Sequence, residues 1–206
     1  MKLYLSSYRL GNQTEKLISM VSNNKRAAVI FNALDFSSDL DIKQSTIDRE
    51  IHDLSEIGLE PEEFDLRPYF VNPESLKKEI SRFGLIWAIG GNTFVLRRAM
   101  SQSGFDEFLI ENRNNDTLVF AGYSAGACVL APTLRGIDLV DDPQISPEGY
   151  ESNVIWEGLS LINFSIAPHY KSDHAESELV GKTIEYFIEN KILFKALRDG
   201  EVIVIK

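Results

Sequence analysis

Leu118-Val119-Phe120-Ala121-Gly122-Tyr123-Ser124-Ala125-Gly126-Ala127 runs from an apolar stretch through a Gly-x-Ser-x-Gly turn into small residues able to open a helix. That order, strand then turn then helix, is how a serine is raised above a sheet with its hydroxyl exposed. Gly122 and Gly126 leave out side chains that would collide where the chain reverses and where helix meets strand. The backbone N–H of Ala125 would then stand at a helix N-terminus, aimed at an oxyanion formed beside Ser124. Taken alone, the same motif also fits an ordinary tight turn, so the flanking sequence must decide.

Working outward, short apolar runs alternate with amphipathic segments, the signature of a parallel sheet covered on both faces. Strands are expected at Lys2–Leu5, Ala27–Asn32, Leu85–Ile89 and Leu118–Ala121. Their almost unbroken apolar character suits strands buried on both sides. Helical spacing links Leu17, Ile18 and Val21, then Ile47, Ile51, Leu54 and Ile57. Asn72-Pro73 reads as an N-cap followed by proline at the first helical position, leading to Leu76, Ile80 and Phe83. Phe105, Phe108 and Leu109 mark a short helix, and Leu179, Val180, Ile184, Phe187 and Ile188 a longer one. Phe194–Leu197 and Val202–Ile205 flank Arg198-Asp199-Gly200-Glu201, which reads as a hairpin turn. Thr133–Tyr150, rich in Gly, Asp and Pro without helical period, reads as a loop or irregular strands that could overhang the site. No linker or repeat divides the chain, and residues 1–206 are expected to form one α/β domain.

Bulk properties narrow the function. The chain has 206 residues, 44% of them hydrophobic, enough for a full core. A formal net charge of −10 with scattered basic residues argues against a nucleic-acid partner. Apolar runs are too short to span a membrane. The N-terminus turns polar at once, unlike a secretory signal. The single cysteine, Cys128, cannot pair within the chain, so a cytoplasmic location is expected. Cys128 itself reads as a buried small hydrophobe.

A second strand ends in a glycine turn: Leu85–Ile89 runs into Gly90-Gly91-Asn92-Thr93, with Asn92 or Thr93 placed to cap a helix through Arg97 and Arg98. Ligands of open α/β sheets bind beyond the C-terminal strand ends, so this turn and Ser124 could face one another. Gly91 would offer a second N–H to an oxyanion; a phosphate-binding or structural turn is the other reading. Of three histidines, His52 lies among charged residues in a helix and His174 begins the next helix. His169 follows Ile166-Ala167-Pro168 at a strand end, a natural place for the general base of a serine, or for a hydrogen-bonded core histidine. His169, Asp173 and His174 could also ligate a metal, but their spacing is not the i, i+4 of a helical metal motif. No metal or other cofactor is expected.

Gly90-Gly91-Asn92-Thr93-Phe94, Gly122-Tyr123-Ser124-Ala125-Gly126-Ala127 and Ala167-Pro168-His169-Tyr170, in that order, resemble the signature blocks of the serine peptidase family of peptidase E (α-aspartyl dipeptidase) and cyanophycinase. The resemblance implies a three-layer fold of the class I glutamine amidotransferase type, with a mostly parallel central sheet and helices on both faces. It implies Ser124 as nucleophile, His169 as its base, and Gly91 and Ala125 as oxyanion donors, with Gly90 and Asn92 in the same turn. The family's acid is a glutamate after the histidine-following helix; here Asp199 holds that place, one methylene shorter, with Asp142 as the alternative. Either order differs from the Ser…Asp…His of α/β-hydrolases. Aspartyl dipeptidases hold their substrate's aspartate with basic residues after the histidine, whereas Lys171-Ser172-Asp173-His174-Ala175-Glu176-Ser177-Glu178 is acidic and lacks arginine. The expected activity is therefore hydrolysis of a small peptide without strict aspartyl preference, in a monomer or homo-oligomer. An esterase, an amidotransferase-like protein, or a relative of the same fold that only binds ligands are the competing readings.

Overall fold

The computed structural model describes all of residues 1–206. Eight strands alternate with seven α-helices: β1 (Lys2–Ser6), α1 (Thr14–Met20), β2 (Arg26–Ile30), α2 (Leu40–Glu56), β3 (Glu60–Phe64), α3 (Glu74–Ile80), β4 (Leu85–Ala88), α4 (Thr93–Ser103), α5 (Phe105–Glu111), β5 (Val119–Tyr123), α6 (Ala125–Cys128), β6 (Ser165–Ala167), α7 (Ser177–Glu189), β7 (Phe194–Ala196) and β8 (Val202–Ile205). Six strands form one sheet in the order β3-β2-β4-β5-β1-β8, parallel throughout except for β8.

Side-chain alternation makes this sheet the middle of three layers. Ala27 and Val29 of β2, with Leu85 and Trp87 of β4, pack against Leu17 and Met20 of α1 and Ile47 and Leu54 of α2. Their neighbours Ala28, Ile30, Ile86 and Ala88 point the other way, onto Leu76, Phe94, Phe105 and Phe187 from α3, α4, α5 and α7. Both strands are almost wholly apolar because both faces are covered.

Four local features differ from expectation. The strand β3, Glu60-Pro61-Glu62-Glu63-Phe64, is polar enough to escape notice because it forms the sheet edge, where charges and proline are tolerated. Asn72 makes no side-chain cap; Pro73 occupies the cap position of α3. His174 precedes α7 by one turn rather than opening it. The Arg198–Glu201 turn forms, with Glu201 N donating to Arg198 O at 2.9 Å, but the strands beside it do not pair with each other. Instead β7 runs parallel to β6 in a separate two-stranded sheet, and β8 pairs antiparallel with β1. Turn chemistry is local, whereas the choice of strand partner is decided by distant apolar surfaces. The split carries Asp199 across to the end of β6.

One buried carboxylate ties the α2 side of the sheet together. Glu50 is fully buried and accepts from Trp87 Nε1 at 3.0 Å, Tyr123 Oη at 3.1 Å and Arg49 Nη2 at 2.9 Å. Glu50→Ala would strand the Trp87 and Tyr123 donors next to the Ser124 turn. The expected cost is about 3 kcal/mol, read from urea unfolding; a change under about 0.5 kcal/mol would show that the network contributes nothing net.

Candidate active site

Because β4, β5 and β1 are neighbours in register, their C-terminal ends deliver three turns to one place. Ala88 lies opposite Gly122, and Ser6 opposite Tyr123. Past those ends come Gly90-Gly91 from β4, Ser124 from β5 and Ser7 from β1.

Ser124 sits at φ 48°, ψ −117°, a conformation that side chains rarely adopt. Such a residue stores about 1–3 kcal/mol of strain and persists only where its surroundings impose it. The imposing contacts are visible. Ser124 N donates to Ser6 O at 3.3 Å, and Ser124 O accepts from the N–H groups of Ala127 and Cys128, both at 2.9 Å. A Cβ on Gly126 would lie 2.1 Å from Ala88 O, so the first turn of α6 rests directly on the β4 backbone. On the facing turn, Gly91 has φ 140°, and a Cβ there would meet Ala33 O at 2.4 Å. A Cβ on Gly90 would come within 3.2 Å of Ser124 Cβ, so the two glycine turns do face each other. Neither the Gly91 nor the Ala125 N–H donates to an acceptor in the protein.

Asn92 has a different job from the rest of its turn. Its Oδ1 accepts from Phe94 N and Val95 N, capping α4, and its Nδ2 donates to Asp142 O at 3.0 Å. These contacts tie that side chain to the start of α4 and to the loop above it. Arg98 of α4, 1% exposed, completes the anchoring of the overhanging loop, donating to the carbonyls of Pro143, Ile145 and Asn153.

His169 is 1% exposed and also carries a positive φ, 61°. Its Nδ1 lies 2.7 Å from Asp199 Oδ1. Ser7 organises the pair from below. Its Oγ accepts from His169 N at 2.8 Å and donates to Asp199 Oδ1 at 2.9 Å, while Ser172 Oγ accepts from Asp199 N at 2.8 Å. Thus one strand end, Ser6-Ser7, is bonded both to the serine turn and to the histidine–aspartate pair. Tyr8 follows, its ring edge-on to Tyr123 and to the imidazoles of His169 and His174. Asp142, by contrast, is exposed and its carboxylate accepts from Gln144 N. No hydrogen bond joins Ser124 Oγ to His169.

Burial lowers the His169 pKa below its ordinary 6.5, and the neighbouring His174 pushes it the same way; the hydrogen bond and charge of Asp199 oppose both. His174 stacks on His169 with ring centroids 3.7 Å apart and planes 12° from parallel. Glu176 reaches back so that its Oε2 is 4.0 Å from His169 Nε2 and 3.8 Å from His174 Nδ1. Burial, together with the Asp199 charge, raises the Glu176 pKa.

Beside Ser124 opens a narrow pocket walled by Ile137, Val140, Ala167 and Val180, with Asp141 and Glu176 as its only charged members. Asp141 accepts from Thr93 N at 2.8 Å at the start of α4, and burial pushes its pKa up to about 6. Cys128 lines the same pocket but is 2% exposed, with its thiol pKa raised by burial. Lys171 is exposed, its Nζ 5.1 Å from the Tyr170 ring, and does not line the pocket. Ser7, Ser172, Asp141 and Glu176 carry no motif that would have singled them out. Ser7, Ser172 and Asp141 are placed by contacts between segments far apart in sequence, Glu176 by the turn that follows His169.

Comparison with known proteins agrees with this architecture. A protein from Listeria monocytogenes EGD-e, solved as a candidate peptidase E, superposes with a TM-score of 0.74 at 21% identity, covering 100% of this chain and 98% of its own. A peptidase from an acI-B1 Actinobacterium gives 0.72 at 18% identity, covering 100% of this chain and 83% of its own. The shared fold is the three-layer class I glutamine amidotransferase-like type. In sequence, an uncharacterized peptidase of Listeria monocytogenes is 29% identical over 158 residues, 73% of either chain. A Drosophila melanogaster protein named a probable alpha-aspartyl dipeptidase is 27% identical over 140 residues, 68% of this chain and 55% of its own. Residues 6–206 match peptidase family S51, and the chain accordingly belongs to that family of serine-type peptidases.

Proposed function

We propose that this peptidase cleaves small peptides, dipeptides among them, through Ser124, His169 and Asp199. The observation that carries the reading is the Ser6-Ser7 strand end, bonded to the serine turn on one side and to the His169–Asp199 pair on the other. Asp199 accepts the Nδ1 proton and so leaves the Nε2 lone pair of His169 free to act as base. Ser124 Oγ attacks the scissile carbonyl, and its proton passes to His169 Nε2. The tetrahedral oxyanion is held by the N–H groups of Gly91 and Ala125, which have no other acceptor. The imidazolium then protonates the leaving amine, and water repeats the sequence to release the acyl group. The Ser124–His169 hydrogen bond forms as substrate closes the site, as is common for catalytic pairs.

The pocket also argues about substrate. With two carboxylates and no cation, it would repel an anionic side chain beside the scissile bond. Dipeptides with neutral or basic N-terminal residues are expected to be cleaved with kcat/KM about tenfold or more above their aspartyl counterparts, roughly the cost of one unpaired charge. A dipeptide panel assayed by amine release tests this. Strong preference for aspartyl substrates would overturn the specificity, and hydrolysis of simple esters without any peptide cleavage would overturn the peptidase chemistry of these residues.

A further inference from the structure

The segment that follows His169 places two further metal-ligating side chains against it. The ligand atoms of His169, His174 and Glu176 all lie within 4.8 Å of one another. The two distances from Glu176 Oε2, 4.0 Å to His169 Nε2 and 3.8 Å to His174 Nδ1, are only slightly longer than the roughly 3.3 Å edge of a zinc tetrahedron. The donor set, two imidazoles and a carboxylate, is one that zinc accepts with a fourth position left to water. Asp199 on the Nδ1 side of His169 completes a carboxylate–histidine pairing that strengthens the imidazole as a ligand. The Glu176 carboxylate accepts no hydrogen bond within the protein. The side chains of His174 and Glu176 are 27% and 39% exposed, so an ion arriving from solvent meets them first. Asp173, adjacent in sequence, is exposed and lies outside this group.

We propose that His169, His174 and Glu176 form a reversible site for a zinc-type divalent cation that silences the peptidase while bound. Binding exchanges waters of the aquo ion for the two imidazole lone pairs and one carboxylate oxygen. The His174 ring must tilt out of its stack, giving up the 3.3 Å hydrogen bond from Glu176 N, which keeps affinity modest and the site reversible. Occupancy engages Nε2 of His169, so the silencing, though not the binding, rests on His169 being the general base.

Two measurements on the full chain separate those claims. Cobalt(II) added alone to chelator-treated protein should give the visible absorption of a tetrahedral site, lost in His174→Ala and in Glu176→Gln and kept in His52→Ala. Zinc chloride should inhibit peptide hydrolysis, reversed by chelator. The half-inhibitory zinc concentration, each variant being referred to its own zinc-free rate, should rise at least tenfold in His174→Ala and Glu176→Gln. Glu176→Gln preserves size and polarity, so it remains informative if His174→Ala fails to fold. Absence of the cobalt signal, or zinc sensitivity in both variants equal to that of the wild type, overturns the site. A cobalt signal with undiminished activity overturns the silencing and, with it, the assignment of His169 as base.

Discussion

Ser124→Ala is expected to lower kcat by about 10⁴- to 10⁶-fold, the scale seen when a serine nucleophile is removed. The fold should survive, since Ser124 makes its hydrogen bonds through backbone atoms, to Ser6 O and from Ala127 and Cys128. Alanine keeps the Cβ and hence the strain of φ 48°, ψ −117°. Glycine does not. Ser124→Gly should therefore be equally inactive yet more stable than Ser124→Ala by about 1 kcal/mol in urea unfolding, because a residue without Cβ adopts that conformation freely. The pair separates two roles of one position, chemistry at Oγ and strain at Cα. Retained peptidase activity in Ser124→Ala would remove Ser124 from the mechanism. A glycine variant no more stable than the alanine one would show that the turn stores no strain. Covalent labelling by a fluorophosphonate, located at Ser124 by mass spectrometry, should disappear in both.

Ser124 is not the only residue near the site with an unusual backbone. His169 and Lys171 also hold positive φ angles, 61° and 49°, and neither is glycine. Positive φ angles also occur at Arg9, Ser160 and Lys191, so what distinguishes Ser124 and His169 is that their strained backbones carry the two side chains proposed for the chemistry.

How far the sequence disclosed all this can be argued from individual residues. The central strands were legible because β2, β4 and β5 are apolar on both faces, and helix α4 because Asn92 is a side-chain cap directly after a glycine turn. The edge strand β3 was not, since Glu60, Glu62 and Glu63 give it the composition of a loop. At the site, Gly122–Ala127 and Ala167–Tyr170 stood out as motifs because turn geometry restricts which residues fit. Ser7 and Glu176 stood out in no way. A serine after a strand and a glutamate before a helix are ordinary in composition, and their roles arise from contacts across 162 residues in one case and from a single reversed turn in the other. Asn92 was legible as a helix cap after a glycine turn, and its Oδ1 does accept from Phe94 N and Val95 N.

Asp199→Asn is expected to reduce kcat/KM by about 10³- to 10⁴-fold with little change in fold. The reason lies in what Oδ1 accepts, the His169 Nδ1 proton at 2.7 Å and the Ser7 hydroxyl at 2.9 Å. A carboxylate can only accept, so it fixes the proton on Nδ1 and the lone pair on Nε2. An amide of the same shape can instead present its NH2 to Nδ1, which moves the ring proton to Nε2 and removes the base from Ser124. The pH profile distinguishes this role from packing. In the wild type the acid limb of kcat/KM should fall below pH 6.5, because burial and His174 lower the His169 pKa more than Asp199 raises it. With the Asp199 charge removed, only the lowering influences remain, and the residual activity of Asp199→Asn should titrate at still lower pH. Asp142→Asn, altering an exposed carboxylate bonded to Gln144 N, should stay within about twofold of wild type. If Asp142→Asn proved the damaging change, or if the acid limb of Asp199→Asn stayed where it is in the wild type, the carboxylate at 2.7 Å would be a structural partner of His169 and not the group that sets its tautomer.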